Sequence, residues 1–206
     1  MTMRVKARYV FLAFVPYFVF YFALQSLITV SQYDLLTFID VQIPFIPEFV
    51  WVYHTIIPVI ITTCFMLFQK KEIFGLLLYS HLTAGAILCL FYILFPSFYP
   101  RENFVNTNTL SGILVELTRT IDGAHNTFPS GHVTFSWLLA FCVGLSERGK
   151  RCSFLKHTYF IWAILISIST LTLKQHYFID VLSGGILAAI VFNIFKNVKN
   201  FPELLD

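Results

Sequence analysis

Charge is what this sequence has least of. Only 12% of its 206 residues are Asp, Glu, Lys or Arg, against 57% apolar and 18% aromatic, and the mean hydropathy is +0.75. A chain so poor in charge cannot surround itself with groups that water solvates, which excludes an ordinary soluble domain. A cysteine framework is missing too: Cys64, Cys89, Cys142 and Cys152 show neither metal-ligand spacing nor an evident pairing, so free thiols are expected. There is no internal repeat, no low-complexity tract and no sign of a second domain, so residues 1–206 are expected to form one unit. Nothing calls for a nucleic-acid partner.

What is present is hydrocarbon in long runs. At 1.5 Å rise per residue, about 20 apolar residues cross a bilayer core, and six runs approach that length: about Tyr9 to Thr29, Phe49 to Phe68, Ile73 to Phe95, Val133 to Leu145, His157 to Leu173 and Phe178 to Phe195. The fourth is short and is expected to extend outward to Gly131 and inward to Ser146. Arg4, Lys6 and Arg8 precede the first run as they would a signal peptide. It is longer than a usual signal core and lacks a small-x-small cleavage site, so a retained helix is expected. The fold class is therefore all-α, a polytopic membrane protein with six transmembrane helices.

The cations order these spans. Arg4, Lys6, Arg8, Lys70, Lys71, Arg148, Lys150, Arg151, Lys156, Lys196 and Lys199 all fall on one side, leaving Arg101, Arg119 and Lys174 for the other. The positive-inside rule makes the crowded side cytoplasmic and puts both termini there. The segment from Ser31 to Glu48 and the longer one from Pro96 to Ser130 then lie outside. Within the latter, TLSGILVELTRTID sets Leu110, Ile113, Leu114 and Leu117 on one helical face, as in an outer interfacial helix lying on the membrane.

The same topology gathers the chemistry at one mouth. Arg101 follows the third span, FPSGH (128–132) opens the fourth, and KQHYFID (174–180) joins the fifth to the sixth. His176 and Asp180, four apart, share a face if a helix begins there; a carboxylate on one imidazole nitrogen leaves the other free as a nucleophile. A structural hydrogen-bonded pair would have the same spacing. In FPSGH, Pro129, Ser130 and Gly131 open a helix whose first amides and positive dipole end favour an anion, with His132 placed to donate a proton. An ordinary helix cap with an incidental histidine reads the same way. Arg101 and Lys174 are the cations best placed for phosphate; Arg119 suits lipid head groups. Together these groups fit in-line phosphoryl transfer, which needs the equatorial charge held and the leaving alkoxide protonated. His132 and His176 lack the companions of a zinc or di-iron site, so neither metal nor cofactor is expected.

These motifs resemble those of the type 2 phosphatidic acid phosphatase superfamily, integral membrane lipid phosphate phosphatases with a six-helix core. FPSGH is similar to its second motif and STLTLKQHYFID, Ser169 to Asp180, to its third. The resemblance implies that His176 forms a phosphohistidine, Asp180 supports it, His132 protonates the leaving group, and Ser130 and Gly131 bind phosphate. Two departures stand out. Thr170 occupies the place of the third motif's usual arginine, and Arg101 follows Pro100 with no lysine upstream in the third span. An arginine-free third motif is similar to the branch of inositol phosphorylceramide synthases, which transfer a head group from a phosphodiester to a lipid alcohol; a diester carries less charge and needs fewer cations.

The expected activity is thus hydrolysis of a lipid-linked phosphomonoester, with head-group phosphotransfer as the alternative. Membrane lipids are the implied partners. A transporter is the reading from another class; it predicts polar residues along several helices rather than at one end. The expected setting is a bacterial inner membrane with the site on its periplasmic face. His54 and His81 are expected to pair with neighbouring helices, His157 to lie at the surface, and Glu102, Asp122 and Asn126 to be loop residues. For His125 a substrate contact is open.

Overall fold

A computed structural model describes residues 2–28, 30, 33–101, 105–198 and 201. Thr29, Ser31, Glu102, Lys199 and residues 202–206 fall outside that set. The chain is all-α apart from one small strand pair, and five helical segments are long and apolar enough to cross a membrane. The spanning elements are α1 (Met3–Leu27), an interrupted second span (Pro47–Leu67), α5 (Lys71–Leu94), α9 (Ser153–Thr172) and α10 (Phe178–Phe195). The shorter apolar helix α7 (Gly131–Leu145) sits among them, against α5, α9 and α10. Its Leu138, Leu139, Ala140, Cys142 and Val143 are wholly buried, so 15 residues suffice for a helix that meets protein on most sides.

Along α10, Leu182, Ile186, Ile190 and Ile194 recur every fourth residue and are each about half exposed. In water such a stripe would be a liability; in a bilayer it is the solvated face. The second span, expected from about Phe49 to Phe68, is built of a 3-10 turn (Pro47–Phe49), α3 (Val50–Tyr53), α4 (Ile56–Thr62) and a π-helical turn (Thr63–Leu67). Pro58 explains the break after Tyr53: it offers no N–H to His54, the residue four before it, and its ring crowds that carbonyl.

One end of the bundle is elaborated. Parallel strands β1 (Tyr33–Asp34) and β2 (Ser97–Phe98) pair there, and the short helix α2 (Phe38–Gln42) leans on the start of α10. The helix α6 (Leu110–Ile121) is capped by the Thr109 hydroxyl, which accepts from the Gly112 amide. Its Leu110, Ile113, Leu117 and Ile121 are exposed, while Gly112, Val115 and Thr118 are buried against the protein. A membrane-lying helix needs such an apolar outer face. At the opposite end stand α8 (Glu147–Arg151) and the Lys70–Glu147 pair.

Candidate functional site

The turn between α9 and α10 presents His176. The amides of Gln175 and His176 both donate to the Thr170 carbonyl, at 3.0 and 3.3 Å, and Lys174 adopts φ 57° to close the turn. Such a left-handed lysine carries strain of order 1 kcal/mol. What holds it is its ammonium, which donates to the carbonyls of Asp40 (2.9 Å) and Ile43 (2.6 Å) on α2. Burial lowers the affinity of Lys174 for its proton, and Asp40 opposes that. Asp40 in turn accepts from the Phe178 amide at 2.7 Å, so α2 caps α10 from far away in sequence.

His176 is 6% exposed, with Nδ1 2.9 Å from the Thr127 carbonyl and 3.5 Å from Asp180 Oδ2. A carbonyl has no proton to give, so Nδ1 carries the hydrogen and Nε2 keeps its lone pair. The tautomer expected from Asp180 alone is thus set mainly by Thr127, with Asp180 as the charge behind it. Asp180 Oδ2 also accepts from the Tyr177 amide, at 2.9 Å.

His132 stands in the first turn of α7. Ser130 caps that helix by accepting from Val133, and its own amide donates to the Asp180 carbonyl at 3.0 Å. Thr134 adds hydrogen bonds to the carbonyls of Ser130 (2.8 Å) and Gly184 (3.1 Å). The two histidine-bearing turns are therefore sewn together through main chain. Gly184 permits this approach: a Cβ there would lie 2.7 Å from the Ser130 carbonyl oxygen. The two imidazole centroids end 6.0 Å apart, their planes at 60°.

Both rings line a cavity of about 180 Å³. Gly131 lines it as well, whereas Ser130 is fully buried, its hydroxyl oxygen accepting the capping bond from the Val133 amide. Phe18, Phe22, Ile57 and Ile121 line it and are also exposed, so its apolar wall opens sideways between α1, the second span and α6. His54 belongs to this wall, Nε2 2.8 Å from the Thr118 hydroxyl. His81 does not: it is buried against Phe14 and Phe135 with Nδ1 2.8 Å from the Leu77 carbonyl. His157 is exposed, its Nδ1 2.7 Å from the Ser153 carbonyl, and His125 bridges to Phe98.

Arg101 and Lys174 are not on the cavity wall. Arg101 donates to the carbonyls of Lys174, Asp122 and Gly123, leaves Nε buried without a partner, and lines a separate cleft with Arg119 and Glu116. Burial lowers the proton affinity of its guanidinium, and Asp122 chiefly opposes that. In this arrangement the side chains of both expected phosphate ligands are engaged by main-chain carbonyls.

Three residues assigned to no site line the cavity. Asn126, 2% exposed with φ 60°, has no partner for either amide atom among the described residues. Asp122 accepts from the hydroxyls of Tyr21 and Tyr53, and the Tyr53 hydroxyl lies 3.4 Å from His132 Nδ1. Asp122 and Asn126 fall within ten residues of His132, a proximity that could have flagged them; Tyr53 carries no local signal. Among the described residues no group of three His, Cys, Asp or Glu is arranged to hold a metal ion.

A family model described as the PAP2 superfamily matches residues 34–194, a stretch that contains every one of these groups except Tyr21 and the α1 wall. The chain belongs to the PAP2 superfamily. A PA-phosphatase related-family protein of Dictyostelium discoideum is 33% identical over 103 residues, covering 45% of this chain and 18% of that relative. The PAP2 chain thus spans less than a fifth of that relative's length. No solved structure matches it.

Proposed function

We propose that the protein hydrolyses a lipid phosphomonoester through a phosphohistidine on His176, with the site on the non-cytoplasmic face. The 6.0 Å separation of two imidazoles held from behind carries this reading, because a phosphorus atom fits between them. Nε2 of His176 attacks phosphorus, the bond to the alkyl oxygen breaks, and His132 gives that oxygen its proton. The phosphorylated ring is cationic, and Asp180 with the Thr127 carbonyl stabilises it. Water, losing a proton to His132, then displaces His176 and releases orthophosphate. Gly131 and the first amides of α7 hold the equatorial oxygens. Asn126, with unmet donors and an acceptor, suits the same oxygens. The exposed apolar wall supports entry of the hydrocarbon tail from the bilayer. Lys and Arg abundance at the opposite end supports cytoplasmic termini.

One observation favours a second reading, head-group transfer from a phosphodiester. The two nearest cations are occupied by carbonyls, and Thr170 spends its hydroxyl on the Ser167 carbonyl, so the cavity itself offers little positive charge. A singly charged diester fits that better than a dianion. Purified protein incubated with lipid phosphates and diesters separates the two: orthophosphate release lost in His176→Ala supports the phosphatase, and head-group exchange without release supports the transferase. Turnover unchanged in both His176→Ala and His132→Ala refutes both.

A further inference from the structure

Asp122 ends α6 with both carboxylate oxygens engaged by tyrosines from other elements: Tyr21 of α1 donates to Oδ1, and Tyr53 of the second span donates to Oδ2 at 2.8 Å. A phenol has one hydrogen. With that hydrogen on a carboxylate, the stronger acceptor, the Tyr53 oxygen has only lone pairs left to offer. What it faces is His132 Nδ1, 3.4 Å away, with the two rings 4.4 Å apart at a 31° tilt. The contact is long for a hydrogen bond, as catalytic contacts commonly are before substrate arrives. Tyr53 is 3% exposed, so water does not compete freely for its oxygen.

We propose that Asp122 and Tyr53 are positioning residues for His132, holding the Nδ1 hydrogen through a two-step chain and presenting Nε2 to the leaving oxygen. The proposal rests on the general-acid role given to His132 above. The nucleophile has its orienting groups directly on Nδ1, in Thr127 and Asp180; the acid reaches its carboxylate through one phenol. The hydrogen on Nδ1 points to Tyr53 oxygen, the hydrogen of Tyr53 points to Asp122, and no proton need leave the chain in turnover. When Nε2 takes up a proton, the resulting imidazolium sits one hydroxyl from a negative charge, which stabilises the protonated acid. When Nε2 delivers that proton, the tautomer is already the one able to accept the next from water. A purely architectural reading makes the same contacts a clasp joining α1, the second span and α6.

Leaving-group dependence separates the two. The full chain in lipid–detergent micelles is assayed on p-nitrophenyl phosphate, whose phenolate departs with little help, and on dodecyl phosphate, whose alkoxide needs a proton. The relay predicts that Tyr53→Phe and Asp122→Asn lower kcat/KM on dodecyl phosphate by at least ~10-fold while changing it little on p-nitrophenyl phosphate, because kcat/KM ends at ester cleavage and leaves out the phosphohistidine hydrolysis that the two esters share. Because both esters are read on one sample, the ratio is independent of how much of the variant folds. Equal losses on the two esters, or none on dodecyl phosphate, overturn the relay and leave the clasp. Turnover that survives His176→Ala overturns the phosphohistidine reading, and the relay with it.

Discussion

Most of the described cations stand in the open at the end of the bundle where α5 begins, although Lys6 is buried there and donates to the Phe65 carbonyl at 2.8 Å. Lys70 and Glu147 pair at 2.7 Å with both side chains more than half exposed, beside Arg148, Lys150 and Arg151. At the histidine end, Arg101 and Lys174 are largely buried and donate to main-chain carbonyls. Eleven Lys and Arg residues belong to the first end by sequence and three to the second, yet it is two of those three, Arg101 and Lys174, that hold the loops beside the histidines. Charge in water is screened and cheap to move; charge bound to carbonyls fixes a loop. The number of charges therefore reports orientation in the membrane, and their burial reports where the chain has been given a defined form.

The sharpest way to break this contrast is at the site itself. His176→Ala removes the proposed nucleophile, and lipid phosphate turnover is expected to fall by at least ~1,000-fold, measured as orthophosphate release from mixed micelles. His132→Ala is expected to cost ~100- to 1,000-fold in the same assay, the range of a lost general acid. Next comes the seam between the two turns. Gly184→Ala puts a methyl 2.7 Å from the Ser130 carbonyl, and overpacking of this kind costs about 1–3 kcal/mol. A lower thermal midpoint in detergent together with reduced turnover is the expected outcome. Arg101→Leu strips donors from buried carbonyls at about 1–3 kcal/mol, again read by thermal midpoint, with turnover falling through the loop. Last, Lys70→Ala is expected to leave turnover and thermal midpoint unchanged; a drop comparable to that of Arg101→Leu would erase the distinction between the two ends.

Much of this was legible in the sequence because the decisive residues lie close together along it. His176 and Asp180 are one helical turn apart, and Ser130, Gly131 and His132 are adjacent, so local spacing carried their geometry. Span positions follow from length and apolarity, and Gly131 as the start of α7 came from the shortness of the fourth run. The second span lies where its apolar run puts it, and the interruption at Pro58 is a detail to which hydropathy is indifferent. Residues that meet only in space were not readable. Asp122, Tyr21 and Tyr53 converge from three elements, and Asp40 caps α10 across 138 positions. The partners of Lys174 were hidden for the same reason: a cation two residues before His176 looks free in the sequence, and only in space does it meet the carbonyls of Asp40 and Ile43.

The amide of Ser130 on the carbonyl of Asp180 acts as a calliper. It sets the gap between the two reacting rings by peptide geometry, and side chains along the lipid doorway take no part in that setting. Phe18, Phe22 and Ile57 can accordingly be exchanged to admit a thicker or thinner tail without recalibrating the instrument. Under the proposed hydrolysis, diversification among lipids would proceed at the door and leave the jaws as they are.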